Sequence, residues 1–238
     1  METTDEGEAQ VSQSADLTTM YFMLFRLSQA DPSDPNATSA LSKLCLAVGG
    51  SFSGEDTVPV NAQHLITLLN KICSVYYQGD SETVFILTSL IVHLSSFPHG
   101  IDGLQTDASF QTRGQLLQYF MTQEKSEVVQ SILRNECVML NTACSTNEHI
   151  PFLYKHGIFK YFEQILSLHQ ELNSEITETV ALLLARIATA PVGAIQIKTA
   201  NIPAALDETL NYFAETNTLD ERRDSIINTI RQIQDVLH

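Results

Sequence analysis

Five polar side chains at helical spacing could hydrogen-bond a segment of another protein. Ser89 and His93 are one helical turn apart, and Arg134 and Asn141 are two turns apart, so each pair projects from one side of its helix. Arg186 occupies the position in its own apolar run that His93 occupies in an earlier run. If these helices line a groove, the five side chains would contact a bound segment. The alternative interpretation is an ordinary exposed helix face.

Other chemistry finds little support in the sequence. His149 and His156 flank the stretch 150–155 without a carboxylate or cysteine at ligand spacing, so we expect no metal site. The motifs GxSxG, GxxxxGK[ST] and GxGxxG, which mark serine hydrolases and nucleotide sites, are absent from the chain. We therefore expect no enzyme, no cofactor and no small-molecule substrate.

The four cysteines are predicted to be buried thiols in a reducing compartment. They form no CxxC pair and no zinc-type cluster with histidine. Cys137 and Cys144 are seven residues apart, and two turns of one helix hold their side chains too far apart for a disulfide.

The elements that must position the polar side chains recur at nearly constant distance. Polar or acidic clusters open four apolar runs of helical length, and their acidic residues Glu82, Glu127, Glu175 and Asp220 are 45, 48 and 45 residues apart. A period in this range is typical of stacked helical repeats. The serine before each glutamate is predicted to accept hydrogen bonds from first-turn amides, while the carboxylate favours the positive end of the helix dipole. A regular acidic rail for ligands is the alternative.

Apolar periodicity predicts helices and no strands. Gly49 and Gly50 are expected to end the second helix, and 97–114 is expected to be irregular, with one short helix near 105–111. The predicted helices cover 16–27, 37–48, 60–76, 81–96, 114–123, 126–144, 148–154, 157–171, 174–189, 191–199, 202–216 and 220–237.

Two C-terminal segments match each other in register. In Lys155-His-Gly157-Ile158 and Thr199-Ala-Asn201-Ile202, the glycine and the asparagine are 44 residues apart, and each precedes a predicted helix. Gly114-Gln-Leu-Leu-Gln-Tyr-Phe120 is a fainter third copy, 43 residues before Gly157. This pattern resembles the armadillo repeat. The resemblance implies an all-α fold, a right-handed superhelical stack of armadillo-like helical repeats (an α-solenoid) with about four to five repeats.

The chain departs from peptide-gripping armadillo proteins at the positions that bind the peptide backbone. Armadillo proteins that grip extended peptides carry a ladder of asparagines on their inner helices, with companion tryptophans. The corresponding positions here are His93, Val138 and Arg186, and the chain has no tryptophan. We therefore expect no grip of the nuclear-import or cadherin-binding type.

The charge bounds the class of partner. The net charge is −15, from 28 acidic against 13 basic residues, which disfavours binding to nucleic acid or to anionic membranes. Either the acid excess serves solubility alone, or it attracts a basic or amphipathic segment of a protein partner. No apolar run could span a membrane and the start lacks the features of a signal peptide, so we expect a cytoplasmic or nuclear protein.

The expected organisation is a disordered acidic tail over 1–15 and a single armadillo-like helical repeat domain over 16–238. The predicted function is that of a non-enzymatic scaffold or adaptor that presents a concave helical surface to a partner protein. The alternative is a regulator of a catalytic machine, such as a nucleotide-exchange factor of Hsp70 chaperones, or a subunit of a larger assembly.

Overall fold

Helices form the whole of the regular structure in the computed structural model, which describes residues 18–52, 61–97, 99–216 and 220–237; no strand occurs in these ranges. A 3₁₀ turn over Asn147–His149 precedes the eighth helix. The helices are α1 (18–27), α2 (Pro35–Ser51), α3 (Ala62–Tyr76), α4 (Ser81–Ser95), α5 (Gly100–Leu104), α6 (Asp107–Phe120), α7 (Glu127–Ala143), α8 (Ile150–Lys155), α9 (Phe159–Ser167), α10 (Ser174–Ala188), α11 (Pro191–Thr199), α12 (Ile202–Glu215) and α13 (Arg223–Leu237).

The repeated polar clusters are helix starts, although the capping residue differs from the prediction. Ser126 caps α7 by accepting a hydrogen bond from the amide of Val129. In α4 and α10 the cap is instead the preceding residue, Asp80 or Asn173, so the serine belongs to the first turn. Each of the three helices carries a glutamate in that turn, where the helix dipole favours negative charge.

The long helices pack side by side in chain order. α2 contacts α4, α4 contacts α7, α7 contacts α10, and α10 contacts α13, and we call these five helices the long-helix row. Behind the row, α3 contacts α6 and α9 contacts α12. From α5 onward each repeat therefore has three helices, a short one, a middle one and a member of the row. The helices bury their apolar stripes by stacking on the neighbouring repeats.

The turns between the short and middle helices confirm the register of the two C-terminal segments. Gly157 and Asn201 adopt left-handed backbone conformations with φ values of 64° and 57°. Glycine and asparagine tolerate this conformation better than other residues, which explains their presence at equivalent positions. The third copy was wrong, because Gly114 lies inside α6, where a Cβ atom would be 3.2 Å from the carbonyl oxygen of His156.

Two other predictions were wrong for physical reasons. The stretch 97–114, expected to be irregular apart from a short helix near 105–111, contains α5 and most of the much longer α6, whose start is capped by Thr106. The helical pattern of α6 is hidden because its buried side includes Ser109, Thr112 and Arg113. Gly49 and Gly50 do not end α2, which continues to Ser51 because burial of its apolar side outweighs the low helix propensity of two glycines.

The buried apolar side chains form one continuous cluster that runs from α1 to α13. In α13 the predicted stripe of Ile226, Ile230, Ile233 and Leu237 is buried, and the opposite side is polar. The predicted tail over 1–15 lies outside the described residues, and the domain boundary stays a prediction. Within the described part of the chain, no helix is both long and apolar enough to cross a membrane.

A cluster of three ionisable residues joins the start of α6 to the end of α8. Asp107 accepts hydrogen bonds from Lys155 Nζ at 2.7 Å and from His156 Nε2 at 2.8 Å. The bond from Lys155, and after it that from His156, lowers the pKa of the Asp107 carboxyl.

This cluster predicts a loss of stability in acid. A carboxyl whose pKa is lowered in the folded state stabilises the protein above its unfolded pKa, near about 3.9, and loses that contribution as the pH falls through the folded pKa. We expect thermal unfolding of the wild type to show a steeper decline below about pH 4 than that of Asp107→Asn. Parallel declines would show that the cluster adds no stability.

Candidate protein-binding surface

The long-helix row leaves one side of its helices in contact with solvent, and we call this side the long-helix face. All five side chains predicted to bind a partner lie on it. His93, Arg134 and Arg186 are exposed, whereas Ser89 and Asn141 are half-buried. The face exists because each helix places its apolar stripe against its neighbours and the opposite stripe, at the same register in every repeat, is left over.

The structure brings only two of the five predicted residues together. Arg186 Nη1 donates to the backbone carbonyl oxygen of Asn141 at 2.7 Å, which links α10 to α7. The Asn141 side-chain oxygen is buried and has no hydrogen-bond partner among the described residues. Ser89 accepts from the amide of Asn135 at 3.0 Å, and the ring of His93 packs edge-on against Phe97. These contacts hold the side chains in fixed positions on the face.

An ion-pair chain on the same face was not predicted. Arg134 Nε lies 2.8 Å from Glu175 Oε1, and Arg222 lies 3.6 Å from the same oxygen and 3.1 Å from Glu178 Oε2. The chain joins α7, α10 and the start of α13. Exposed pairs of this kind contribute little stability, so their effect is mainly to orient the charged groups. The repeat period places Glu175 on the helix next to that of Arg134, so the pair was predictable, but from the sequence Glu175 was interpreted only as part of a helix start.

Apolar side chains interrupt the charges. Leu46 on α2, Phe85 on α4 and Leu182 on α10 are 61%, 36% and 45% exposed, and Val138 on α7 is half-buried. Beside Leu46, a cleft of about 570 Å³ opens between α2 and α4 and is lined also by Lys43 and Asp80. The face therefore offers apolar, acidic and basic contacts in succession, a composition found at protein interfaces.

The asparagines of α7 do not form a peptide-gripping ladder. Asn135 is buried, and its amide nitrogen donates to Thr88 and Ser89 on α4 at 3.1 and 3.0 Å. The donor hydrogens of Asn135 are therefore used to hold α7 against α4. At the three ladder positions the face carries an imidazole, an isopropyl group and a guanidinium, which cannot clamp a peptide backbone as an amide does.

A buried ion pair lies away from this face. Arg113 and Glu136 form an ion pair of 2.7 Å with 2% and 0% of their side chains exposed. Burial raises the pKa of Glu136 to about 7, while the charge of Arg113 opposes this rise. A substrate has no route to a pair that is enclosed by α3, α6 and α7, so we assign the pair to folding.

The cysteines are free and buried, as predicted. Burial raises the pKa of Cys45, Cys73 and Cys144 to about 12 and raises that of Cys137 as well. Thiols with such pKa values are poor nucleophiles at neutral pH. No group of three potential metal ligands occurs among the described residues.

Comparisons with known proteins support the fold. No family model and no curated protein matches the sequence. Among solved structures, the chain is similar to a designed armadillo repeat protein, YIII(Dq)4CqI, with a TM-score of 0.52 and 14% sequence identity. The match covers 100% of this chain and 96% of the designed protein. The chain is therefore an all-α solenoid of armadillo-like helical repeats.

Proposed function

We propose that the protein is a non-enzymatic scaffold or adaptor that binds a partner protein on its long-helix face. The observation that carries the proposal is the continuity of this face, to which every helix of the row contributes exposed side chains. Stacking of the repeats sets its shape, and the resemblance to armadillo proteins favours a concave form. The armadillo fold is usually a binding fold, and the described residues include no open site with perturbed ionisable groups.

The partner contact is expected to involve the side chains that differ from helix to helix. Ser89, His93, Arg134, Asn141 and Arg186 provide hydrogen bonds and charge, and we propose them as binding residues. Leu182 and Phe85 provide apolar area between them. Aromatic and arginine side chains with apolar neighbours are the usual centres of binding energy at interfaces.

The acidic edge of the face favours a basic or amphipathic segment as the ligand. Glu82 and Glu127, exposed in the first turns of α4 and α7, form this edge, whereas Glu175 and Glu178 in α10 are already paired with Arg134 and Arg222. A helix or extended segment with lysine or arginine on one side could lie along this acidic edge and place apolar side chains against Leu182. The buried free thiols fit a reducing compartment, so we propose the cytoplasm or nucleus as the site of action.

The test compares two variants with equally intrusive charges. Leu182→Glu alters the face, whereas Val192→Glu alters an exposed position on α11, outside the row. Partners captured from lysate by the wild type should be retained by Val192→Glu and lost from Leu182→Glu. With the purified partner, calorimetry should show binding to Leu182→Glu weakened by about tenfold or more. Equal affinity of both variants, with unchanged circular dichroism, would exclude the face as the binding surface.

The charge of the partner is tested in the same assay. If the ligand is basic, a Glu82→Lys plus Glu127→Lys variant should bind more weakly, and the wild-type affinity should fall as salt is added. Salt-independent binding that survives this charge reversal would contradict a basic ligand while leaving the location of the face intact.

A further inference from the structure

The first described helix is apolar on nearly every side but is buried along only one narrow stripe. Seven of the ten residues over 18–27 are apolar, and of these only Leu24 is fully buried. Tyr21, Phe22, Met23 and Phe25 are 42%, 58%, 48% and 47% exposed. A helix that is hydrophobic all round is expected to be enclosed by other elements, yet among the described residues none covers the outer side of α1.

The helix at the opposite end of the row, α13, has the polar outer side expected of a terminal helix in contact with solvent. On α13, the outward side carries Asn228, Arg231, Gln232 and Asp235, all exposed. Helical-repeat proteins require such polar faces on their terminal repeats to remain soluble. Among the described residues no comparable polar face protects α1, which packs on the core through Met20, Leu24 and Leu27. Tyr76 Oη also donates a hydrogen bond to the carbonyl oxygen of Leu27 at 3.1 Å.

The local charge decides which partner fits this face. The chain as a whole carries −15, which makes two copies repel each other over most of their surface. The stretch 18–27 contains no acidic residue, and its only charge is Arg26, whose guanidinium lies 5.8 Å from the ring centre of Phe22. The stretch itself therefore brings no acidic side chain to a contact between two α1 helices, and the flanking acids Asp16 and Asp31 lie outside it. A head-to-tail contact with α13 would instead cover Arg231 and Asp235 with apolar groups.

We propose that α1 packs against α1 of a second copy of this chain, which makes the protein a two-fold symmetric dimer. A two-fold axis pairs each face with itself, so the aromatic patch of one copy is covered by the same patch of the other. A large side chain can bury about 150–250 Å², and about half of each of the four side chains is exposed, so together they expose roughly 400 Å² per copy. Together with a rim this reaches the low end of specific interfaces, and association is expected at roughly micromolar concentration.

The dimer is tested on the full chain by sedimentation velocity from low micromolar to high concentration. The wild type should shift from monomer to dimer. Phe22→Glu should raise the dissociation constant by about tenfold or more, because it places like charges at the centre of the patch. Val192→Glu has a similarly exposed position, at 54%, on α11 and should associate like the wild type. A monomeric wild type at every concentration, or equal association of both variants, overturns the proposal.

Cross-linking provides a second measurement that does not depend on a charge substitution. The native thiols are buried, so Met23→Cys introduces an accessible thiol, as does Val192→Cys in the control. A short bismaleimide should link two copies of the Met23→Cys variant and leave the control unlinked. Amides of α1 should exchange hydrogen more slowly as concentration rises. Exchange of the α1 amides that does not change with concentration would contradict the dimer proposal.

The outcome is independent of the proposed function. Leu182 and the acidic edge are on the long-helix face, and none of the variants used for α1 alters them. A failed dimer therefore leaves partner binding untouched, and loss of partner binding in Leu182→Glu leaves the dimer untouched.

Discussion

Replacing Arg113 with methionine should destabilise the protein by about 3–5 kcal/mol, the usual effect of leaving one half of a buried ion pair without its partner. Arg113 Nη1 donates to Glu136 Oε1 at 2.7 Å, and Nη2 donates to Asn70 Oδ1 at 2.8 Å. All three side chains are buried, and they connect α6 to α7 and α3. The variant would leave a carboxyl and an amide oxygen without their donor in the core. Urea denaturation monitored by circular dichroism measures the change.

The size of this effect should depend on pH in a defined direction. Burial raises the pKa of Glu136 to about 7, above its unfolded value, so its contribution to stability is full below about pH 4.3 and is lost as the pH rises through the folded pKa. Without Arg113 the pKa of Glu136 rises further. As the pH rises above about 7, the free energy of unfolding therefore keeps falling for the variant after it has become constant for the wild type. The difference between the two should therefore be larger at pH 8.5 than at pH 6.

The matched control removes both charges. Arg113→Met combined with Glu136→Leu should recover most of the lost stability and show little dependence on pH, because no ionisable group is then left unpaired. Asn70 would still lack its donor, which limits the recovery by about 1–3 kcal/mol. A double variant as unstable as Arg113→Met would show that shape and packing, and not the unpaired carboxyl, decide the effect.

Gly193→Ala is the second large effect that we expect, a loss of about 1–3 kcal/mol from overpacking. A Cβ atom on Gly193 would lie 2.1 Å from the carbonyl oxygen of Ile187 and 2.5 Å from its Cγ2 atom. Backbone on one side and a buried side chain on the other leave no flexible group that could yield. The start of α11 must then move away from the end of α10. Thermal and urea unfolding measure the loss.

Gly50→Ala provides the control for helix propensity. Gly50 also lies in a helix, α2, but an added Cβ would meet no atom of the described residues within 4 Å. There the usual advantage of alanine over glycine should appear as a gain of up to about 1 kcal/mol. Opposite signs at the two glycines would confirm that close approach of α11 to α10 requires glycine. A stabilised Gly193→Ala variant would show that the helices can separate without cost.

Much of the architecture was predictable because it is local. In α13, four apolar residues at spacings of three or four define one stripe, and the structure buries that stripe. The 44-residue distance between Gly157 and Asn201 marks two equivalent turns, and both residues are in the left-handed conformation. Such features depend on a few neighbouring residues and on the 3.6-residue period, which any sequence displays directly.

The wrong predictions concern residues whose environment is set by a segment that is distant in the sequence. The buried side of α6 contains Arg113 and Ser109, which appear as solvent-facing residues until Asn70 and Glu136 are known to surround them. Apolar periodicity cannot detect a helix whose buried side is polar. Gly193 appears as a weak helix residue until the carbonyl of Ile187 is found beside it.

On the candidate surface, too, some features were predictable from the sequence and others were not. Spacing placed His93 and Arg186 at equivalent positions of two helices, and both are exposed on the long-helix face. The contacts of Arg134 with Glu175, and of Arg186 with the Asn141 carbonyl, join residues that are 41 and 45 positions apart, and the tertiary structure alone revealed them.

The sequence by itself determined that this protein is a stack of helical repeats, because helix period, capping and the 45-residue repeat are properties of neighbouring residues. Only the tertiary structure decided which polar groups are buried, which glycines admit no side chain, and that the described residues leave an apolar face of α1 exposed. Those properties depend on what approaches a residue from another repeat, and packing between repeats is set by three-dimensional contacts that no local pattern contains.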